Sequence, residues 1–156
     1  MKSPGRGLIL LVLLAIFSGC QQKVLFEETK SIPLSGWNQD NYLNFKFPCE
    51  DIKNQYGISL IIRNTAKYKY SNLFLFVNTT APGGRGIRDT IEIRMADERG
   101  RWFGKGIGGK YTLEVPFKTN VVFPEPGNYG IEIEQGMREE ELKFITDVGL
   151  RITKMK

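Results

Sequence analysis

The chain has 156 residues, a length for one domain. Hydrophobic residues make up 41% and charged residues 25%, ordinary globular values that exclude a long disordered chain. There is no histidine, which removes Ser-His-Asp and Cys-His catalysis, histidine metal sites and imidazole acid–base chemistry, and two cysteines cannot build a closed thiolate metal cage. No cofactor and no metal are expected.

Residues 1–19 read as a leader. Lys2 and Arg6 precede the apolar run Leu8–Phe17, ten residues against the ~20 a bilayer-spanning helix needs. A basic flank before a short apolar run is the pattern of a secretory signal. The run ends in Phe17-Ser18-Gly19-Cys20, which resembles a lipobox with Phe17 in the usual leucine position. Cleavage before Cys20 and acylation of that thiol are expected, giving a membrane anchor of three acyl chains. Without Lys2 and Arg6 the remainder lies close to charge balance, and no basic tract stands out. An exported chain without such a tract is a poor partner for nucleic acid. With Cys20 acylated, Cys49 has no partner within the chain, and it reads as a small core residue behind Phe45 and Phe47.

Residues 20–30 are expected to be a lipid-anchored tether running into an edge segment, Val24-Leu25-Phe26, ahead of a single domain over 31–156. Period-two segments then recur between turn signals. Asn41–Phe47 puts Phe45 and Phe47 on one face. Gly57–Asn64 is the next such segment. Asn72–Asn78 is apolar on both faces, which marks a central strand. Asp89–Met95 alternates Ile91, Ile93 and Met95 against Glu92 and Arg94, and Tyr111–Phe117 aligns Tyr111, Leu113 and Val115. Asn128–Gln135 alternates Tyr129, Ile131 and Ile133 against Glu132 and Glu134, and Asp147–Thr153 closes with Val148, Leu150 and Ile152. The stretch Met137–Ile145 alone offers a short helix. Seven or eight short strands predict an all-β, antiparallel β-sandwich, immunoglobulin-like or jelly-roll.

Gly104-Lys105-Gly106-Ile107-Gly108-Gly109 spells G-x-G-x-x-G and nearly a P-loop. Both motifs need a helix directly after the glycines, and Tyr111–Phe117 reads as a strand. A hairpin is the expectation, and Pro82–Gly86 is expected to be a mobile loop. Paired carboxylates are the one catalytic option that needs no histidine, but the sequence gives no spacing for any pair of them, and Glu139-Glu140-Glu141 reads as a solvated face. The protein is therefore expected to be no enzyme. Aromatics suited to a binding rim are Trp37, Tyr42, Tyr68, Tyr70, Trp102 and Phe103, and Tyr68 and Tyr70 equally suit capping the core.

The lipobox and this order of segments resemble the GldH family of gliding-motility lipoproteins, known from the Bacteroidetes. The residues that carry the likeness are Arg63-Asn64 with Tyr68, Tyr70, Asn72 and Leu73, then Asp89-Thr90, then Gly100-Arg101-Trp102-Phe103-Gly104. They continue through Phe123-Pro124 with Gly127 and Tyr129, Glu134-Gln135-Gly136-Met137-Arg138 and Asp147-Val148-Gly149-Leu150-Arg151. The resemblance implies a membrane-tethered accessory of the gliding and type IX secretion apparatus, with envelope proteins of that machinery as partners. It brings no catalytic residues. A non-enzymatic assembly or scaffold lipoprotein is the leading expectation, and a glycan- or ligand-binding sandwich is the alternative.

Tyr70, Trp102, Phe103 and Arg138 are the candidate binding residues, because interface energy concentrates in aromatics and arginine. Thr90 in Asp89-Thr90-Ile91 resembles an O-glycosylation acceptor of Bacteroidetes periplasms. Structural roles compete with binding ones. Asp89 is a candidate for stabilising the turn before its strand, Tyr129 for a tyrosine corner, and Arg138 for pairing with Asp147. Gln21-Gln22-Lys23 lacks the acidic residues of a surface-export signal, so the periplasmic face of the outer membrane is the expected location.

Overall fold

A computed structural model describes residues 23–155 of the chain. The leader and Cys20 lie outside the described residues. Among the described residues there are eleven strands, beginning with β1 (Val24–Ser31), β2 (Trp37–Asn38), β3 (Leu43–Cys49), β4 (Tyr56–Thr65), β5 (Asn72–Thr80) and β6 (Gly86–Arg94). They continue with β7 (Lys105–Ile107), β8 (Lys110–Val121), β9 (Gly127–Gln135), β10 (Glu141–Leu142) and β11 (Ile145–Lys154). One sheet has the order β1-β11-β4-β8-β7 and the other β3-β9-β5-β6, with β10 and β2 forming a small ribbon. Every pairing is antiparallel. This is the expected all-β sandwich.

The edge segment became β1, and the seven period-two segments became β3, β4, β5, β6, β8, β9 and β11. The strands beyond the expected seven or eight are β2, β7 and β10, pieces of two or three residues too short to show a period. The core forms where the alternating rows of the two sheets meet. Ile58, Leu60 and Ile62 of β4 and Val148, Leu150 and Ile152 of β11 lie in one buried cluster with Phe45, Phe47, Leu73, Leu75, Val77, Ile131 and Ile133. Cys49 and Trp37 are fully buried there as well. Burial raises the Cys49 thiol pKa above its ordinary value, which suits an inert core residue. Trp37 is thereby corrected from rim to core, and its indole N–H donates to the Asn41 carbonyl at 2.9 Å.

β5 is central, between β9 and β6. Its outward Phe76 lies beneath the Arg88 guanidinium, 4.6 Å from the ring centroid, and Gly136 packs against the same ring. The edge segment β1 runs on to Ser31 and pairs with β11 along its length.

Two local expectations are corrected, for Met137–Ile145 and Asp89, and the Pro82–Gly86 loop takes a defined shape. The stretch Met137–Ile145 is not helical; it forms a turn and the short β10. The Pro82–Gly86 stretch is a closed turn, with the Ala81 N–H donating to the Arg85 carbonyl at 2.8 Å. Asp89 lies inside β6, which begins three residues earlier at Gly86, and instead of serving a turn it pairs with Lys118 of the opposite sheet at 2.5 Å. Tyr129 fulfils its expected role, its hydroxyl donating back to the Glu125 carbonyl at 2.7 Å. The glycine-rich stretch is the β7–β8 hairpin. Gly108 and Gly109 both take positive φ, 65° and 79°, as a two-residue type I′ turn requires.

Strand register divides the molecule into two ends. Val24, Tyr56, Lys118 and Val121 share one end with Cys49, Gly86 and Gly127. Ser31, Thr65, Lys110 and Ile145 share the far end with Leu43, Asn72 and Arg94. The chain enters β1 at the first end.

Candidate functional site

Four of the sequence-derived candidates gather at the far end. The β4–β5 connection carries Tyr68 and Tyr70, whose rings meet edge to face at 5.7 Å. Tyr68 is only 4% exposed, and its hydroxyl donates to the Asn72 carbonyl at 2.9 Å. Burial pushes its phenol pKa well above the ordinary tyrosine range. It therefore caps the core and supports what surrounds it.

Trp102 lies on the connection between β6 and β7. That segment folds as a tight loop because Asp97 organises it. One carboxylate oxygen accepts the backbone N–H groups of Arg99 and Arg101, at 2.9 and 2.8 Å, and the other accepts Arg101 Nε at 2.7 Å. These donors hold the Asp97 carboxyl pKa below its ordinary value. Gly100, at φ 77°, supplies the left-handed residue of the turn. Ala96 and Trp102 pair across it. The Trp102 indole is half-buried, packed 6.3 Å from Tyr68 and 5.8 Å from Tyr111. Its neighbour Phe103 turns outward and is 52% exposed. Phe103 lies over a cleft of about 510 Å³ that also carries Ser71, Asn72, Arg94 and Arg99.

Arg138 reaches the same end from the β9–β10 connection. It is exposed and shares a shallow cleft with Tyr70, Phe74 and Met137. It does not pair with Asp147, which accepts instead from the Ser31 hydroxyl at 2.9 Å. Tyr70 donates to Glu139 at 2.7 Å, and Glu139 is also 3.7 Å from Lys69. Glu139 and Glu141 are thus engaged rather than free. Glu141 accepts the Asn38 amide at 2.7 Å.

Sequence reasoning missed Gln135, the residue that holds this connection in place. It is 3% exposed. Its amide N–H donates to the Glu139 carbonyl at 2.7 Å, and its amide oxygen accepts the Met137 N–H at 2.8 Å. A signal for it existed. After Ile131 and Ile133, position 135 falls on the inward row of β9, where a polar residue needs partners.

The far end is also apolar at its tips. Leu34 and Ile107 are almost wholly exposed there. Thr90 lies elsewhere, near the middle of the edge strand β6, in the outward row with Arg88 and Glu92.

A family model described as GldH lipoprotein matches residues 24–152. The chain belongs to the GldH lipoprotein family. One relative, named gliding motility lipoprotein GldH homolog, comes from Christiangramia forsetii. It is 37% identical over 99% of this chain and 98% of its own length. A second family member, gliding motility lipoprotein GldH of Flavobacterium johnsoniae, is 34% identical over 97% of this chain and 98% of its own length. Among solved structures the chain is similar to a carbohydrate-binding module specific for non-crystalline cellulose, with TM-score 0.42 and 11% identity over 81% of this chain and 69% of that one. A likeness that loose carries no argument about what the family member binds.

The geometry separates Trp102 from Phe103 as test positions. Trp102→Ala removes two aromatic contacts, each worth about 0.5–1.5 kcal/mol beyond area burial, so it lowers stability together with any docking. Phe103→Ala leaves the fold untouched. If Phe103 anchors a partner, its loss weakens binding by on the order of 2 kcal/mol, roughly 30-fold. Thermal melts of both variants check the first statement. Secretion and gliding assays with Phe103→Ala check the second, and a wild-type phenotype in a wild-type-stable variant removes Phe103 from the site.

Proposed function

We propose that this lipoprotein is held by lipidated Cys20 at the periplasmic face of the outer membrane, and that it serves gliding motility and type IX secretion as a non-enzymatic assembly component. Its far end docks envelope proteins of that machinery. The observation that carries this reading is the polarity of the fold. The chain enters at one end, and Tyr70, Trp102, Phe103 and Arg138 gather at the other. An anchored domain built this way presents its aromatic and arginine residues away from its tether. The names of the two relatives support the motility assignment. Crosslinking in cells tests the reading, with identification of what is attached to the far end. Attachment to components of the secretion and gliding apparatus is the expected result.

A glycan reader is the second reading, favoured by Phe103 standing over a polar cleft, since an exposed ring beside amide, carboxylate and guanidinium groups suits a sugar face. Binding to a glycan array that Phe103→Ala abolishes would support it over protein docking.

Thr90 is proposed as a glycan acceptor, supported by its outward position on an edge strand. Because Lys118 engages the neighbouring Asp89 in the folded domain, a transferase would meet the motif before the two sheets close. Intact-mass measurement on protein from its native host should show a glycan-sized shift that Thr90→Ala removes. An unmodified mass, or a full shift that survives in the variant, contradicts it.

A further inference from the structure

Four residue steps separate Cys20 from Val24, the first residue of β1. Fully extended they reach about 14 Å. With Cys20 acylated, the end of the sandwich that carries Val24 is confined to the neighbourhood of the lipid headgroups.

That end has an apolar mouth. Between β6 and β8 the two sheets part, and a cleft of about 560 Å³ opens among Ile58, Ile87, Val121, Val122, Phe123 and Tyr129. By alternation Ile87 belongs to the inward row of β6 with Asp89, Ile91 and Ile93, yet it is 63% exposed, and Val122 is 54% exposed. The Lys118–Asp89 pair closes the seam further in. Val24 and Leu25 add partly exposed apolar surface at the same end. Lys23 and Lys53 are exposed there, and the carboxylates of Asp51, Asp89 and Glu125 are paired with Lys154, Lys118 and Arg85. Glu50 is exposed there as well, and among the described residues no unpaired acidic cluster opposes an anionic headgroup layer.

We propose that this end of the domain docks directly on the phospholipid surface, with Ile87 and Val122 entering the boundary between headgroups and acyl chains. The proposal rests on the lipidated-anchor reading above. Lipid is the occupant because the tether is so short. A protein seated on the mouth would have to fit within about 14 Å of the bilayer, whereas lipid is already there. Docked in this way, the sandwich stands upright. The ten residues of β4 rise about 33 Å, which lifts the far end clear of the membrane.

The test uses the full lipidated protein reconstituted in phospholipid vesicles. A polarity-sensitive fluorophore is attached in turn to Ile87→Cys, Val122→Cys and, at the far end, Ile107→Cys, the buried Cys49 staying unlabelled. The label at 87 and at 122 should shift to the blue and be quenched severalfold more by lipid-borne quenchers than the label at 107. Vesicle flotation reads the anchor separately. Protein that floats with water-like labels at 87 and 122 overturns the docking and leaves the anchor standing. A blue shift without quenching from lipid means that protein, such as a second copy, covers the mouth, and this too overturns the proposal. Protein that fails to float overturns both.

Discussion

Cys20→Ser is expected to leave an unlipidated precursor or a mislocalised protein and to abolish labelling by a fatty-acid analogue. On the proposed reading cleavage and acylation both act at that thiol in the Phe17-Ser18-Gly19-Cys20 sequence, so the serine variant keeps an uncut leader or loses its lipid. The physical effect is large because anchoring scales with chain number. Each buried methylene contributes about 0.8 kcal/mol, a single acyl chain binds only marginally, and two chains hold stably. Whatever surface contact Ile87 and Val122 make, two exposed side chains cannot replace three acyl chains. The folded domain survives, because no described core residue lies before Val24. Equal fatty-acid labelling of wild type and variant contradicts the assignment.

The second large effect is expected at Gln135. Gln135→Leu leaves the Met137 N–H and the Glu139 carbonyl without the partners they now have. Both bonds are part-buried, so each group left unsatisfied costs at most the ~1–3 kcal/mol of a buried one, still a noticeable share of the ~5–15 kcal/mol by which a domain of this kind is stable. The local consequence matters as much. The β9–β10 connection carries Arg138 and the Glu139 that accepts from Tyr70, so loosening it also loosens the far end. A reduced melting temperature is predicted, with faster hydrogen exchange at Met137. Gln135→Glu keeps an acceptor for the Met137 N–H but loses the amide donor to Glu139, so it should fall between wild type and Gln135→Leu. A Gln135→Leu protein as stable as wild type contradicts this assignment.

These two residues mark how far the sequence could be read. The Cys20 expectation rests on a contiguous pattern that needs no structure to be read, and it lies outside the described residues. The long strands were legible because burial imposes period two, and Ile131, Ile133 and the row opposite them show it without structure. Tyr129 was legible as a corner because its turn, Phe123 to Gly127, is written in prolines and glycine. Gln135 was written in the same row but carries its meaning through hydrogen-bond partners, two and four residues on and at the distant Trp37 carbonyl. Its amide takes the Met137 N–H and the Glu139 carbonyl into a loop, and β10 pairs with β2. Those bonds overrode the helical propensity of Arg138–Phe144. Phe144 itself adopts φ 73°, which no helix accommodates.

The candidate residues could be named from their chemistry, but their surroundings could not. Aromatics and arginine pointed to Tyr70, Trp102, Phe103 and Arg138, and the register brings them to one end. Which of them is free was not legible, because exposure depends on tertiary neighbours. Trp102 is wedged between Tyr68 and Tyr111, while the adjacent Phe103 points outward. Asp89 and Arg138 show the same limit. Their partners were sought along the chain, whereas Asp89 found Lys118 across the sandwich.

The central claim is that the end remote from the anchor docks the protein into an envelope assembly. A photo-crosslinking amino acid at Phe103, installed in cells that express the full lipidated protein, tests it most directly, with the same group at Ile52 near the membrane end as the comparison. The account predicts that position 103 crosslinks to proteins of the gliding and secretion machinery and that position 52 does not. Crosslinks to that machinery from position 52, with none from position 103, would contradict it.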